Sequence, residues 1–373
     1  MEVTTDSGGS APRPPRLPRP RPEMALLQPY RTQQHRAAVR IQANEWPEPN
    51  PAGRYIAADE LDRLLLNRYP GRGDELRGVL SERWGVRPEQ LILGNGSNEV
   101  LLGVFLVFGG HGRRTLLFQP TYSMHARLSV IAGGEAVNEM IGLPYDLRKD
   151  RALDAMDRVR PAVVVFTSPN NPTGTLIDED VILAVAEAYP DAVVLVDEAY
   201  ADFAGSTLVP RIERNPNVVI SKTFSKVRAA AGLRVGILVV HPELAGYFTA
   251  AQLPYNMSAL TLAVAARIAR DEAAIERRLT LVASERERVH EALRDVAAIE
   301  VFPSVANFIL FRLREGMPAD VHARFLEQSV LIRDVSNWPG CERCLRASIG
   351  TPEENDRFIE ALAAVFGQSS VRR

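Results

Sequence analysis

Residues 192–200 read Ala-Val-Val-Leu-Val-Asp-Glu-Ala-Tyr: five apolar residues, then an acid and, three positions later, a tyrosine. A short apolar run that ends at polar residues predicts a strand buried on both faces. Comparable runs, each followed by a polar or Gly/Pro-containing turn, lie at 115–118, 162–166, 218–220 and 235–240. Helix-like segments such as 178–188 separate several of them. This alternation predicts an α/β fold, with a mostly parallel sheet covered by helices on both faces.

Residues with useful chemistry follow three of these strands. The strand at 162–166 precedes Thr-Ser-Pro-Asn-Asn-Pro-Thr-Gly, which contains Asn171. The strand at 192–196 precedes Asp197 and Tyr200, and the strand at 218–220 precedes Lys226. Because ligands bind at the carboxyl ends of parallel strands, we expect these side chains to share one edge of the sheet.

A possible anion cradle lies upstream of these strands. Residues 94–99 read Gly-Asn-Gly-Ser-Asn-Glu and precede an apolar run at 100–108. Small residues that open a helix can present backbone N–H groups to an anion. A glycine-rich turn of this kind, taken alone, is more often only a turn.

Lysine is scarce in this chain, which narrows the search for a nucleophilic amine. The 44 Lys and Arg residues include only three lysines, Lys149, Lys222 and Lys226. An arginine stays charged, whereas a lysine can lose its proton and attack a carbonyl. Lys226 follows Thr223-Phe-Ser225 and lies eight residues before Arg234. Lys149 lies in a polar stretch, and Lys222 is expected to be an ordinary solvated surface charge.

Each of these elements has a simpler explanation when it is taken alone. An acid after a strand is commonly a helix cap, and a loop rich in Pro and Asn can be only a rigid turn. Together they supply an anion cradle and a cation for a phosphate, an acid for a ring nitrogen, donors for a phenolic oxygen and an amine for an aldehyde. Those are the requirements of pyridoxal 5′-phosphate.

The length of 373 residues allows two domains with full cores. We expect a disordered tail at 1–23, an N-terminal arm at 24–50, a large cofactor-binding domain at 51–275 and a smaller α+β domain at 276–373. The tail contains six Pro and four Arg between Ser10 and Pro22, and Met24 is an alternative start. A charged helical stretch from Asp271 to Arg294 bridges the two domains. The smaller domain would contain a strand at 306–312, an extended segment at 330–334 and a last helix at 353–366.

Composition excludes several classes of protein. The net charge of −2 gives no general attraction to nucleic acid or to anionic membranes. The apolar runs are far shorter than the roughly 18 residues of a membrane span, so we expect a cytoplasmic protein. Cys341 and Cys344 have the spacing of a redox or zinc pair, but no histidine set completes a metal site. We expect two reduced cysteines and no bound metal.

From Gln28-Pro-Tyr30 to Arg346-Ala-Ser-Ile-Gly350 the chain resembles fold type I aminotransferases that depend on pyridoxal phosphate, and within them the histidinol-phosphate aminotransferases. The motifs that carry the resemblance are Asn44-Glu45, Asn67-Arg-Tyr-Pro70, Pro120-Thr-Tyr122, the loop with Asn171, Asp197-Glu-Ala-Tyr200, Thr223-Phe-Ser-Lys226 and Ala231-Gly-Leu-Arg234. The resemblance implies a large domain with a mostly parallel sheet and a smaller C-terminal domain.

The resemblance also assigns roles to these residues. Lys226 would form a Schiff base with the cofactor and move a proton, and Asp197 would keep the pyridine nitrogen protonated. Asn171 and Tyr200 would bond the phenolic oxygen, and Tyr122 would stack on the ring. The phosphate would be bound by the residues Ser97, Asn98, Thr223, Ser225 and Arg234. Tyr69 would reach the phosphate of a neighbouring subunit, which implies a homodimer with shared active sites.

Substrate recognition is assigned to four residues by the same resemblance. Arg333 and Arg346 would bind the anionic end of the substrate, because a guanidinium can bind carboxylate or phosphate bidentately. Tyr30 would add a hydroxyl to the phosphate, and Asn44 would lie beside the substrate. A surface ion pair with Asp334 or Glu342 is the alternative for the two arginines.

The implied reaction moves an amino group between glutamate and imidazole-acetol phosphate, giving L-histidinol phosphate and 2-oxoglutarate in histidine biosynthesis. Trp46, His125 and Arg228 depart from the residues common in such relatives, either by drift or by reshaping the pocket. An aromatic or other amino-acid aminotransferase and a phospho-amino-acid decarboxylase remain alternatives on the same scaffold. A regulatory protein that only senses the cofactor is a third, but such proteins normally append a DNA-binding domain.

Overall fold

The computed structural model describes residues 19–29 and 35–367 of the chain. The prediction for the first part of the tail therefore lies outside the described residues. Arg21, inside the predicted tail, donates a hydrogen bond to Ile131 O at 2.8 Å, and a short 3-10 helix follows at Pro22–Leu26. Contact with the folded body is thus present before Met24.

The strands of the described part are, in chain order, β1 Val39–Arg40, β2 Leu91–Asn95, β3 Arg114–Gln119, β4 Glu135–Met140, β5 Val163–Thr167, β6 Val193–Asp197, β7 Val218–Thr223, β8 Val235–Val239, β9 Ile299–Val301, β10 Phe308–Leu313, β11 Val330–Leu331, β12 Arg333–Asp334 and β13 Cys344–Ser348.

The helices are α1 Ala58–Arg63, α2 Asp74–Trp84, α3 Ser97–Phe108, α4 Met124–Ile131, α5 Lys149–Val159, α6 Glu179–Ala188, α7 Ala201–Ala204, α8 Pro242–Ala251, α9 Ala259–Arg270, α10 Glu272–Arg294, α11 Pro318–Glu327 and α12 Pro352–Phe366. Further 3-10 turns lie at Ala52–Arg54, Pro88–Gln90, Val209–Arg211 and Ala231–Leu233. Among the described residues, no helix has both the length and the apolar character needed to cross a bilayer.

A seven-stranded sheet with the order β2-β8-β7-β6-β5-β3-β4 forms the centre of the large domain. Neighbours pair in parallel from β4 to β7, and β8 is antiparallel to both β7 and β2. The sheet is therefore mostly parallel, as the alternating pattern predicts. The residue just before the reversed strand, Arg234, consequently lies at the same edge as the carboxyl ends of β2, β5, β6 and β7.

Helices cover both faces of this sheet because its strands are apolar on both sides. Along β6, Val194 and Val196 pack into one core with α2, α5, α6 and α9. Val193 and Leu195 pack into the opposite core with α3, α4 and α8. Side chains on a strand alternate between faces, so a continuous apolar run supplies both cores.

The smaller domain is built on an antiparallel four-stranded sheet with the order β12-β13-β10-β9. The arm strand β1 pairs in parallel with β11, with Val39 opposite Val330. A separate core forms around Phe311, Phe325 and Phe358 and includes Val39 from the arm. The helix α10 begins at Glu272 with the Asp271 side chain as its N-cap and ends at Arg294, which is the bridging helix expected from the sequence.

Candidate active site

One cavity of about 330 Å³ lies between the edge of the large sheet and the smaller domain. Nearly every residue that the sequence singles out borders it. The predicted residues on its wall are Asn44, Ser97, Asn98, Tyr122, Asn171, Asp197, Tyr200, Thr223, Ser225, Lys226, Arg234, Arg333 and Arg346. Asn171, Asp197 and Lys226 thus lie near one edge of the large sheet, as the strand-end rule predicts, and Arg333 and Arg346 reach the cavity from the smaller domain.

Two predicted site residues remain to be placed. Tyr30 lies outside the described residues, and Tyr69 is not on the cavity wall. Tyr69 is 80% exposed and stacks on Tyr255 with ring centroids 4.3 Å apart. Its position on the surface agrees with a role toward another subunit rather than in its own cavity.

The N-terminus of α3 and Arg234 form one end of the cavity. Gly96, at φ +88°, precedes Ser97, and a side chain added there would overlap the guanidinium of Arg234. A side chain added at Gly236 would overlap the backbone of Gly96 and Ser97. The two glycines therefore allow Arg234 to lie against the first turn of α3, where free N–H groups and a cation can bind an anion together.

Two hydroxyl groups line the same end. Ser225 lies beside Thr223, whose hydroxyl is 3.0 Å from the Ser225 hydroxyl. Thr223 Oγ1 also accepts a hydrogen bond from the Ser225 N–H at 3.1 Å. The hydroxyl groups keep capacity to bond a further partner, because each has two acceptor lone pairs and one proton.

Asp197 ends β6, is buried and lies beside His125. His125 Nε2 lies 3.0 Å from Asp197 Oδ2, and the Ala199 N–H donates to Oδ1 at 3.2 Å. An ionised carboxylate only accepts hydrogen bonds, so His125 donates from Nε2. The ring of Tyr122 packs edge-on against His125 at 5.4 Å. The departure at His125 therefore provides a partner for the predicted catalytic acid, a contact that the sequence alone does not reveal.

Lys226 and Lys222 have different surroundings. The Lys226 amine donates to Ala43 O at 3.2 Å and lies 5.5 Å from the Tyr200 ring centroid. Lys222 is only 5% exposed, and its amine lies 2.6 Å from Glu198 Oε2. The prediction that Lys222 is a solvated surface charge was wrong, because β7 is an interior strand and Glu198 compensates the buried amine.

The arm reaches the cavity through Asn44. Its side-chain amide donates to Tyr200 Oη at 3.0 Å, and Ser348 Oγ donates to Asn44 Oδ1 at 2.8 Å. Asn44 thus connects Tyr200 in the large domain with β13 in the smaller one. Its backbone has a φ of +54°, a conformation that Asn tolerates better than most residues.

Arg346 and Arg333 lie on the wall contributed by the smaller domain. Arg346 donates to Asn171 Oδ1 and to Gln42 O at 2.8 Å. Arg333 is half-buried, and within the described residues it forms no ion pair with Asp334 or Glu342. The surface ion pair considered for Arg333 is therefore not found there, and its guanidinium faces the cavity with its charge available.

The sequence did not single out two other residues on the wall. Trp338, in the turn between β12 and β13, borders the cavity, and so does Gln42. Trp338 also packs against the small cluster that contains Cys341 and Cys344. No periodicity or spacing in the sequence marks a turn residue of this kind, because its position depends on how two short strands meet.

The two cysteines are free and buried. A hydrogen bond from Cys341 lowers the pKa of the Cys344 thiol to about 7, with help from Arg312 and Tyr145 and against the effect of burial. The hydrogen bond to Cys344 and burial raise the pKa of Cys341. Within the described residues, no group of three or more His, Cys, Asp or Glu side chains could hold a metal ion.

The doubly covered, mostly parallel sheet, the smaller C-terminal domain and the cavity between them define a fold type I transferase. The chain belongs to the aminotransferase class I and II family, whose model matches residues 48–362, and it is an aminotransferase.

Proteins named histidinol-phosphate aminotransferase are among its relatives. The one from Caldanaerobacter subterraneus subsp. tengcongensis is 33% identical over 330 residues, which cover 88% of this chain and 93% of the relative. The one from Streptomyces avermitilis is 38% identical over 367 residues, covering 92% and 95%. The crystal structure of histidinol-phosphate aminotransferase from Sinorhizobium meliloti in complex with pyridoxal 5′-phosphate has a TM-score of 0.78 at 24% identity, covering 89% of this chain and 91% of that one.

Proposed function

We propose that this protein transfers an amino group between glutamate and imidazole-acetol phosphate, giving L-histidinol phosphate and 2-oxoglutarate in histidine biosynthesis. The observation that supports this most is the cavity in which Lys226, Asp197 and Arg234 lie together with Arg333 and Arg346. The names of the relatives agree with this assignment. We place the reaction in the cytoplasm and expect no nucleic-acid or membrane partner.

The proposed cofactor is pyridoxal 5′-phosphate, and the residues present fit its groups. The first turn of α3, Arg234, Ser225 and Thr223 match a phosphate, because they combine free N–H groups, a cation and hydroxyls. The buried Asp197 matches a ring nitrogen that carries a proton. Asn171 and Tyr200 offer polar atoms for a phenolic oxygen, and the Lys226 amine matches an aldehyde. When bound, the cofactor supplies that aldehyde and a ring that takes up electrons from the substrate carbon.

The residues of the chain do the remaining work. Lys226 would hold the cofactor through its amine, and its Nζ atom would carry a proton to and from the substrate carbon. His125 orients the Asp197 carboxylate, which would hold a proton at the ring nitrogen. Tyr122 would pack against the ring. Tyr200, which accepts a hydrogen bond from Asn44, would bond the phenolic oxygen.

A phosphate ester fits the charge of the outer part of the cavity. Arg333 and Arg346 border it together, and a fork of N–H donors binds phosphate or carboxylate bidentately. A single arginine suffices for a simple amino acid carboxylate. A second arginine favours substrates with two negative charges: glutamate has them on two carboxylates, and histidinol phosphate, which has no carboxylate, has them on its phosphate dianion.

We further propose a homodimer with shared active sites. Exposed apolar side chains cluster in the region of Tyr69, including Leu65, Leu66, Leu253 and Tyr255. Large exposed apolar patches commonly mark protein interfaces. Tyr69 would then reach the phosphate in the neighbouring subunit, so that neither subunit has a complete site alone.

A panel of amino donors tests the function. The purified protein, loaded with pyridoxal phosphate, would be given histidinol phosphate, histidinol, phenylalanine and O-phosphothreonine with 2-oxoglutarate, and both glutamate and carbon dioxide would be measured. We expect glutamate from histidinol phosphate well above the other donors and no carbon dioxide. Strong activity with phenylalanine and none with histidinol phosphate would replace this proposal by an aromatic aminotransferase, and carbon dioxide from O-phosphothreonine by a decarboxylase.

A further inference from the structure

An ion pair joins the two chain segments that contribute Lys226 and Tyr200. Arg228 lies two residues after Lys226, and Asp202 lies two residues after Tyr200. The Arg228 Nη1 atom is 2.8 Å from Asp202 Oδ2. Neither residue borders the cavity.

The arginine end of this pair is buried, whereas the Asp202 side chain is 30% exposed. Arg228 is 1% exposed, and its guanidinium lies 5.0 Å from the ring centroid of Phe224. Its Nε and Nη2 atoms have no hydrogen-bond partner in the described part of the chain. A buried charge costs free energy that one carboxylate does not fully recover, so an apolar residue would serve packing alone at least as well.

The turn that follows Lys226 is also held by a side chain of α10. Arg278, 2% exposed, donates from Nη1 to Val227 O at 3.2 Å, and its guanidinium lies 5.3 Å from the Trp46 ring. The Ala229 N–H donates to Lys226 O at 2.8 Å, with Ala229 at a φ of +54°. The backbone around Lys226 is therefore held by side chains from outside the turn as well as by its own hydrogen bond.

We propose that the Arg228–Asp202 pair is a positioning device that fixes the Lys226 turn against the segment of Tyr200. Arg228 is two residues from Lys226, and Asp202 is two residues from Tyr200. A change at either residue of the pair therefore displaces Lys226 relative to Tyr200. The charged groups that act on Asp202 besides Arg228 are Lys222 and Arg83, and Lys222 is paired with Glu198. The inference rests on the proposed function only in taking Lys226 as the reactive amine.

The first test measures the Lys226 amine without the cofactor. Because the chain has only three lysines, reductive methylation followed by mass spectrometry gives the rate at Lys226 relative to Lys149 in each protein. We expect Arg228→Met to raise this ratio, since the released turn exposes the amine, and Arg228→Lys to restore it in part. Arg288→Met, which removes an ion pair within α10 at 2.7 Å from Glu285, is the control and should leave the ratio unchanged.

The second test uses the cofactor-loaded enzyme and a double-mutant cycle. Arg228→Met should lower kcat by about 10- to 100-fold, because small displacements of a reacting group are costly, with a smaller change in KM. Asp202→Asn should act in the same direction, and the double variant should be no worse than Arg228→Met alone.

Two results would overturn the inference. One is an unchanged methylation ratio and kcat in Arg228→Met and in the milder Arg228→Lys and Asp202→Asn variants, with thermal stability lowered only as in the Arg288→Met control. The other is strictly additive effects in the cycle. If the wild-type protein did not transaminate histidinol phosphate but the methylation ratio still responded, the proposed function would fail and the positioning role would stand.

Discussion

Arg333 and Arg346 lie directly opposite each other on the paired strands β12 and β13. Like charges at facing positions of a sheet repel each other, and both guanidinium groups border one cavity. An anion that binds between them relieves this repulsion. The arrangement therefore favours a ligand with more negative charge than a single carboxylate.

Replacing Arg333 by Gln should reduce the preference of the enzyme for histidinol phosphate over histidinol. A charge-assisted hydrogen bond is worth roughly 1.5–3 kcal/mol, so kcat/KM for histidinol phosphate should fall by about one to two powers of ten. Activity with histidinol, which lacks the phosphate, should change little. Arg357→Gln, at an exposed position in α12, is the control. An equal fall for both substrates would argue against a phosphate contact.

Replacing Lys226 by Ala should abolish transfer and covalent binding of the cofactor. Loss of the nucleophile and proton carrier should lower turnover by about 10²–10⁴-fold or more. The absorbance of the lysine-bound cofactor should disappear, and borohydride should no longer fix the cofactor to the chain. Lys149→Ala, at the start of α5, should behave as wild type. Retained turnover in Lys226→Ala would contradict the assignment of the nucleophile.

His125→Phe should weaken the site through Asp197. The variant keeps an aromatic ring beside Tyr122 but removes the donor 3.0 Å from the carboxylate. Losing a hydrogen bond to a buried charge should lower cofactor affinity or kcat by about one to two powers of ten. His322→Phe removes a buried contact to Ile332 O at 3.1 Å in the smaller domain and should affect stability without affecting cofactor affinity. If the two variants bound the cofactor with the same affinity and had the same kcat, His125 would not support the site through Asp197.

Gly236→Ala should damage the anion end of the cavity without touching a functional side chain. The added methyl group would overlap the backbone of Gly96 and Ser97, so the first turn of α3 must shift. We expect cofactor affinity, measured by fluorescence titration, to fall by at least about tenfold. Gly78→Ala, in the exposed face of α2 with no atom within 4 Å of the added carbon, should stabilise the helix by about 0.5–1 kcal/mol. Unaltered affinity in Gly236→Ala would exclude this turn as the phosphate site.

Asp202→Asn should change how stability depends on pH. Burial acts to raise the pKa of the Asp202 carboxyl, but Arg228, Lys222 and Arg83 together outweigh it and leave the pKa below its usual value of about 3.9. A folded-state pKa below the unfolded one gives stability that is present above about pH 4 and lost as the pH falls through the folded-state pKa. In urea unfolding, the wild type should have the larger free energy of unfolding at pH 7, and its difference from the variant should be smaller at pH 3. An equal difference at both pH values would contradict a stabilising ion pair at Asp202.

The sequence predicts the large sheet well because its strands are buried on both faces and read as continuous apolar runs. Helix starts are also readable: Asp178 accepts from the Asp180 N–H, and Thr351 forms a capping box with Glu354. The cavity residues could be assembled because polar residues directly follow these strands, and strand ends meet at one edge.

Contacts between distant segments could not be predicted in the same way. His125 and Asp197 meet only because α4, which packs on β3 and β4, begins beside the end of β6. The partner of Lys222 depends on the register of β6 against β7. The extended segment at 330–334 splits into β11, which pairs with β1, and β12, which pairs with β13. Such pairings depend on tertiary packing, which local propensity does not encode.

The arm sets a limit for anyone who shortens this chain from its N-terminus. Removal of Val39–Asn44 would strip a strand from the smaller domain and, in the same cut, take away the hydrogen-bond donor of Tyr200. Stability of one domain and reactivity in the other would then decline together, although the deleted residues belong to neither sheet that borders the cavity. A truncation series that ends on either side of Val39–Asn44 would show whether stability and activity are lost only when these residues are removed.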